Sequence, residues 1–168
     1  MILAFDTHYF GNKAKTVCLA FESWNTCEKY EIYTEILENI EDYISGEFYK
    51  RELPCIMSLY EKIKFDNIEA IIIDGFVYLD DNGKLGLGGH LYEKLNSKIP
   101  VIGVAKTNFA TIKINKRKLL RGQSINPLYI TAIGIKLNEA SELINSMSGK
   151  NRIPTTLKKL DTLTKEKQ

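Results

Sequence analysis

The sequence has no C-x-x-C pair, and its three cysteines, Cys18, Cys27 and Cys55, form an odd and widely spaced set. With only two histidines beside them they do not complete a zinc site. They are read as free thiols in a reducing cytoplasm. No apolar run approaches the roughly 18 residues of a membrane span, because charge interrupts even the best ones. The opening MILAFD carries an acid at position 6 and no basic leader, which is not the pattern of a signal peptide. Repeats, low-complexity stretches and linkers are missing too. Membrane insertion, collagen-like structure and intrinsic disorder are thereby excluded.

What remains is an ordinary globular composition, 44% apolar and 26% charged over 168 residues. At roughly 150 residues per domain this predicts one domain over residues 1–168, cytoplasmic and monomeric. A chain of this length buries about 70% of its unfolded surface, so folding needs neither disulfides nor a structural metal.

Acid is scarce where base is dense. Lys106, Lys113, Lys116, Arg117, Lys118 and Arg121 occur with no acid between Lys106 and Gly122. Lys150, Arg152, Lys158, Lys159, Lys165 and Lys167 follow near the end. The opposite holds from Glu22 to Glu52, where nine acids face Lys29, Lys50 and Arg51. Basic segments of this kind can meet phosphate backbones, or simply form a solvated loop and tail.

Ile2–Phe5 and Lys15–Phe21 read as strands joined through Gly11-Asn12-Lys13, a hairpin, with Tyr30–Tyr33 as a third strand. Leu53, Ile56, Tyr60 and Ile63 recur at helical spacing and predict a helix over Glu52–Lys64. Ile68–Ile73 and Val101–Ala105 are buried strands flanking a helix marked by Leu87, Leu91 and Leu95, a parallel βαβ unit. A strand over Leu128–Ile135 and a helix over Asn138–Ser146 complete the pattern, with a flexible tail from about Lys158. The expected fold class is α/β, a central mixed β-sheet flanked by helices.

Chemistry gathers at the strand ends. The first strand ends at Asp6 and the central one at Asp74, and ligands in open α/β sheets bind beyond such ends. As neighbours these two carboxylates would converge, offering hard oxygen ligands suited to Mg2+; taken singly, each would cap its own turn. Lys106 closes a third buried strand, either as an ordinary surface lysine or opposing charge on a phosphoryl oxygen. Glu52, after Arg51, is either a first-turn dipole partner or a third carboxylate near a metal. Gly86-Leu87-Gly88-Gly89 lacks the Lys-Ser/Thr of a phosphate loop and reads as close packing at a helix start. Asp80-Asp81-Asn82-Gly83 lacks the later glutamate of a calcium loop. His8 and His90 have no serine or cysteine in a nucleophile setting.

Taken in order, these segments resemble the endonuclease V family, metal-dependent nucleases that recognise inosine in nucleic acid. Asp6-Thr7-His8-Tyr9 is similar to the family's D-x-x-Y, and Tyr43-Ile44-Ser45-Gly46 followed by Arg51-Glu52 to its Y-x-P-G-x-x-x-x-R-E. Asp74-Gly75 matches its D-G. The run from Leu85-Gly86-Leu87-Gly88-Gly89-His90 to Ile99-Pro100-Val101-Ile102-Gly103-Val104-Ala105-Lys106 is similar to its F-G-x-A-S-H and I-P-x-I-G-V-A-K. Arg152-Ile153-Pro154 and Asp161 resemble a closing R-x-P…A-D segment.

The resemblance implies an RNase H-like fold and hydrolysis of a phosphodiester near inosine, a DNA-repair type of activity on DNA or RNA. It implies Asp6, Glu52 and Asp74 around Mg2+ or Mn2+, with Lys106 stabilising transition-state charge. It further implies substrate contacts from Tyr43 as a wedge, Gly46 and Gly75 around a flipped base, Arg51 and His90. The chain departs from the pattern at Asp42 and Ser45, where the family has prolines. It departs again at Phe76-Val77-Tyr78-Leu79-Asp80-Asp81, where the family has a glycine and His-Pro-Arg. Ala132-Ile133-Gly134-Ile135-Lys136 replaces a Gly-His before the late helix. The expectation is therefore a Mg2+-dependent endonuclease; the alternative is a nucleic-acid-binding homologue with weak or absent cleavage. A small-molecule α/β enzyme would need a cofactor fingerprint, and none is found.

Overall fold

The computed structural model describes residues 1–25, 27–40, 42, 44, 45 and 47–167. Tyr43 and Gly46, both assigned to substrate binding above, lie outside the described residues.

The chain opens with β1 (Ile2–Phe10) and β2 (Lys13–Phe21), paired antiparallel from Ile2↔Phe21 to Phe10↔Lys13. Gly11 makes the turn with φ at 58°, a left-handed conformation that costs glycine nothing. The hairpin is longer than the apolar runs predict, because its far end is built from half-polar residues such as Thr7, His8 and Lys13, so Asp6 lies inside β1, where the pairing with β4 stops, and not at the strand's end. β3 (Glu31–Leu37) adds to β2 as an edge strand. α1 (Phe48–Tyr60) then leads into β4 (Ala70–Asp74), which runs parallel to β1. α2 (Leu87–Lys94) carries the chain to β5 (Val101–Ala105), parallel to β4, so the expected parallel βαβ unit is formed. β6 (Arg117–Leu119) and β7 (Leu128–Ile133) pair antiparallel, and β7 lies antiparallel to β5. α3 (Leu137–Ser146) and α4 (Thr155–Lys165) close the chain. The result is a mixed seven-stranded sheet in the order β3-β2-β1-β4-β5-β7-β6.

Strand alternation divides the core into two layers. Leu3, Phe5, Ile71, Ile73 and Val101 point to one face, where Leu53, Ile56 and Leu59 of α1 and Leu87 and Leu91 of α2 cover them. Ile2, Ala4, Ile72, Ile102, Val104 and Ile130 point to the other face, under Ala140 and Ile144 of α3 and Leu160 of α4. The same parity continues past the apolar stretches. Asp6, Asp74 and Lys106 are even-numbered like Ala4, Ile72 and Val104, so all three emerge on the α4 side.

Three expectations are corrected. The tail from Lys158 is ordered as most of α4: Thr156, Leu160 and Thr164 recur every fourth residue as a buried stripe, while Lys158 and Lys165 stay exposed. Two of the three stripe residues are threonines, which hide the helix from a hydrophobic reading. α1 starts at Phe48 rather than Glu52 and runs through Pro54, so Glu52 lies in the second turn and is no first-turn dipole partner. The basic stretch after Lys106 contains the short edge strand β6, whose charges suit an exposed sheet edge.

No helix among the described residues is long and apolar enough to cross a membrane. Cys18, Cys27 and Cys55 are free, as expected, with Cys18 and Cys55 buried.

Candidate active site

The register fixes the centre. Phe5 pairs with Ile73 and Asp74 with Val104, so Asp6 and Asp74 follow one another across adjacent parallel strands, and Lys106 leaves the next strand two residues on. The Lys106 ammonium lies 3.4 Å from Asp74 Oδ2 and 3.1 Å from Asp161 Oδ1, bridging the sheet to α4. Burial works against that charge, but Asp74 and Asp161 outweigh it and raise the Lys106 pKa above its ordinary value. Burial likewise pushes the Asp161 carboxyl up, yet hydrogen bonds from Lys165 (2.7 Å) and Lys106 hold it below the usual carboxylate range.

Asp6 is buried. Its Oδ1 accepts the Thr7 N–H at 2.9 Å and its Oδ2 accepts the Thr164 hydroxyl at 2.8 Å. Desolvation raises its pKa, opposed by the Thr164 hydrogen bond and reinforced by the charge of Asp74. A cavity of about 30 Å³, room for roughly one water molecule, is lined by Asp6, Asp74, Lys106, Asp161 and the apolar side chains around Leu160.

Glu52 reaches the same strand ends from the opposite layer. It sits on α1, is only 3% exposed, and its pKa is driven well above the usual value by burial and then by the charges of Asp6 and Asp74, with Arg51 opposing. Because it approaches from the other face, it does not line the cavity beneath α4. Among the described residues, no three His, Cys, Asp or Glu side chains are grouped so that they could hold a metal ion.

Arg51 stacks its guanidinium 3.7 Å over the Tyr9 ring. Among the described residues its Nε has no partner, and neither does the buried Tyr9 hydroxyl. Burial and the Glu52 charge push the Tyr9 phenol up, so it stays a neutral donor. His90, on α2, stacks on Tyr49 of α1 with ring centroids 3.8 Å apart, away from the cavity lining. Gly75 has φ at 135°, a conformation that side chains rarely adopt, and lies immediately beyond Asp74.

The glycine run behaves as packing. Gly86 caps α2, and a Cβ on Gly88 would come within 2.8 Å of the Val77 side chain. Asp81 serves structure also: its carboxylate accepts the backbone N–H groups of Lys113, Ile114 and Asn115.

Two supporting residues had no predicted role. Arg152 Nη2 donates to the Lys106 carbonyl at 2.5 Å and the Pro127 carbonyl at 2.8 Å, fixing the end of β5. Thr164 holds Asp6 from α4. The R-x-P segment pointed to Arg152, and the acid that follows it pointed to Asp161; nothing in the sequence pointed to Thr164.

Solved structures with a similar fold include those of endonuclease V. The Bacillus subtilis enzyme superposes with a TM-score of 0.75 at 20% identity, over 97% of this chain and 77% of that one. Human endonuclease V gives 0.71 at 20% identity, over 97% and 82%. The Ciona intestinalis enzyme, in complex with a 23mer DNA containing an inosine followed by a ribo-adenosine, gives 0.76 at 16% identity, over 97% and 83%. These likenesses show the fold, which is RNase H-like. No curated protein matches the chain. The sequence profile of endonuclease V matches residues 1–123, from β1 through β6, nearly three quarters of the molecule. The chain therefore belongs to the endonuclease V family of nucleases, which are phosphodiester hydrolases.

Proposed function

We propose that the protein is a Mg2+-dependent endonuclease that hydrolyses a phosphodiester near inosine in DNA, an activity of the repair type. The observation that carries this reading is the convergence of Asp6, just past the β1–β4 pairing, with Asp74 and Lys106 at the ends of β4 and β5 and Asp161 of α4, the charges of Asp6 and Asp74 also acting on the buried Glu52.

The donor set fits a hard divalent cation in chemistry. Its candidate ligands are carboxylates, and burial and mutual repulsion disfavour the charges of Asp6 and Glu52. The centre already attracts one cation, the Lys106 ammonium. Asp6 and Asp74 would hold Mg2+ directly, with Glu52 a closer or water-mediated ligand; Mn2+ suits the same oxygens. Such an ion, when bound, supplies an activated water and polarises the scissile phosphate.

The protein's own groups do the rest. Lys106 sets a positive charge beside the phosphate, where charge grows in the transition state. Asp161 holds that ammonium in place, and Arg152 holds the strand end that carries it. Arg51, its guanidinium stacked on Tyr9, would bring a fixed positive charge toward a substrate phosphate. Gly75 leaves the wall beyond Asp74 open to a base, and Tyr43 and Gly46 would complete the grip. His90, held against Tyr49, contributes at the rim through that stack. Inosine enters this reading from the Ciona relative, whose bound DNA carries that base.

The test is strand cutting of labelled single- and double-stranded oligonucleotides, with and without one inosine, in Mg2+ and in EDTA. Nicking at a fixed position near inosine, lost in EDTA, is the expected result. Cutting indifferent to inosine would remove the substrate assignment, and binding without cutting would favour a homologue that only binds.

A further inference from the structure

Beside the catalytic centre stands a pair of aromatic rings that no role above uses. Phe76 follows Asp74 by two residues and Phe109 follows Lys106 by three, so both leave the ends of the parallel strands β4 and β5. Their ring centroids are 5.7 Å apart at 41°. Phe109 is 39% exposed, a poor location for an apolar ring without a partner.

That exposure is not the product of a loose loop. Ile112 anchors the segment in the interior at 1% exposure. Asp81 accepts three consecutive backbone N–H groups, those of Lys113, Ile114 and Asn115. The Thr111 hydroxyl donates to the Leu79 carbonyl at 2.5 Å, and Lys116 Nζ donates to the Phe109 carbonyl at 3.1 Å. These contacts hold Phe109 outward on a fixed backbone.

The segment that carries Phe109 holds charge of one sign. From Lys106 to Gly122 there is no acid, and Lys113, Arg117 and Lys118 are exposed. The neighbouring Asp81 is occupied by the loop's own N–H groups. A fixed aromatic face within a basic segment, here Phe109 backed by Phe76, is the pattern that binds single-stranded nucleic acid, bases stacking on the ring while phosphates meet the cations.

We propose that Phe76 and Phe109 form a stacking platform for a base of single-stranded DNA, beside the scissile position. The proposal deepens the endonuclease reading and rests on it for the identity of the site. Phe76 stands where the family resemblance places a glycine and His-Pro-Arg, so the platform belongs to this chain's own loops. Every base has a π-face, so the grip registers the presence of a base more than its identity.

Binding is measured by fluorescence anisotropy in EDTA, with a labelled thymidine oligonucleotide and the same oligonucleotide carrying central abasic sites. The wild-type protein is expected to favour the base-containing strand. Phe109→Ala is expected to lose roughly 5- to 150-fold toward that strand and little toward the abasic one, with an unchanged melting temperature. Phe109→Trp is expected to retain the preference. Equal losses on both strands, or wild-type binding indifferent to the bases, would overturn the platform. Strand cutting is read separately: its absence with base-dependent binding intact defeats the endonuclease reading alone, and its presence with Phe109-independent binding defeats the platform alone.

Discussion

The Thr164 hydroxyl donates to Oδ2 of Asp6 at 2.8 Å, joining residues 158 positions apart and fastening the last helix to the first strand's carboxylate. Both groups are buried. Losing the donor leaves a desolvated oxygen with one partner fewer. Thr164→Val, which keeps the shape, is expected to cost about 1–3 kcal/mol in urea unfolding, and Thr164→Ser is expected to restore most of it. A valine variant as stable as the wild type would contradict this role.

Glu52 is held at a cost in the metal-free protein. Its pKa is raised above the ordinary 4.5, by burial first and then by Asp6 and Asp74. Its contribution to stability is therefore complete below about pH 4.5 and is lost as pH climbs through the raised folded value. Glu52→Gln cannot suffer that loss. In EDTA at neutral pH this variant is expected to melt higher than the wild type, by about 2–4 °C for each kcal/mol gained. The gap is expected to close as pH falls toward 4.5. A variant that melts lower at neutral pH would show that the ionised carboxylate is stabilising.

Gly103 makes the strand ends fit. A Cβ there would come within 2.5 Å of Thr131 Oγ1 and 2.6 Å of the Gly75 carbonyl, both held by the packed sheet. Thr131 Oγ1 also accepts the Val77 N–H at 2.9 Å, which sets the path of the chain after Asp74. Gly103→Ala is expected to destabilise by roughly 1–3 kcal/mol and to lower cutting by displacing Asp74. Calorimetry and strand cutting check the two effects, and an alanine variant with wild-type stability would show that the sheet yields there.

How far the site could be read from the sequence depended on range. Asp6, Asp74 and Lys106 each end a short apolar run, a signal visible without any structure, although only Asp74 and Lys106 stand at the end of a strand. Their shared face follows from the period of two, once the strands are in register. Glu52 was ambiguous because periodicity began the helix four residues late, leaving it in an apparent first turn. α4 escaped because Thr156 and Thr164 fill two of its buried positions, and its link to Asp6 spans nearly the whole chain. The Phe76–Phe109 pair joins two loops 33 residues apart, a contact that no local pattern encodes.

The central claim is that Asp74 belongs to a catalytic centre for phosphodiester hydrolysis, and Asp74→Asn tests it most directly. Cutting of an inosine-containing oligonucleotide in Mg2+ is measured beside binding of the same strand in EDTA. The account predicts that cutting falls by roughly 100-fold or more while binding stays within a few-fold of the wild type. Undiminished cutting by the asparagine variant would contradict it.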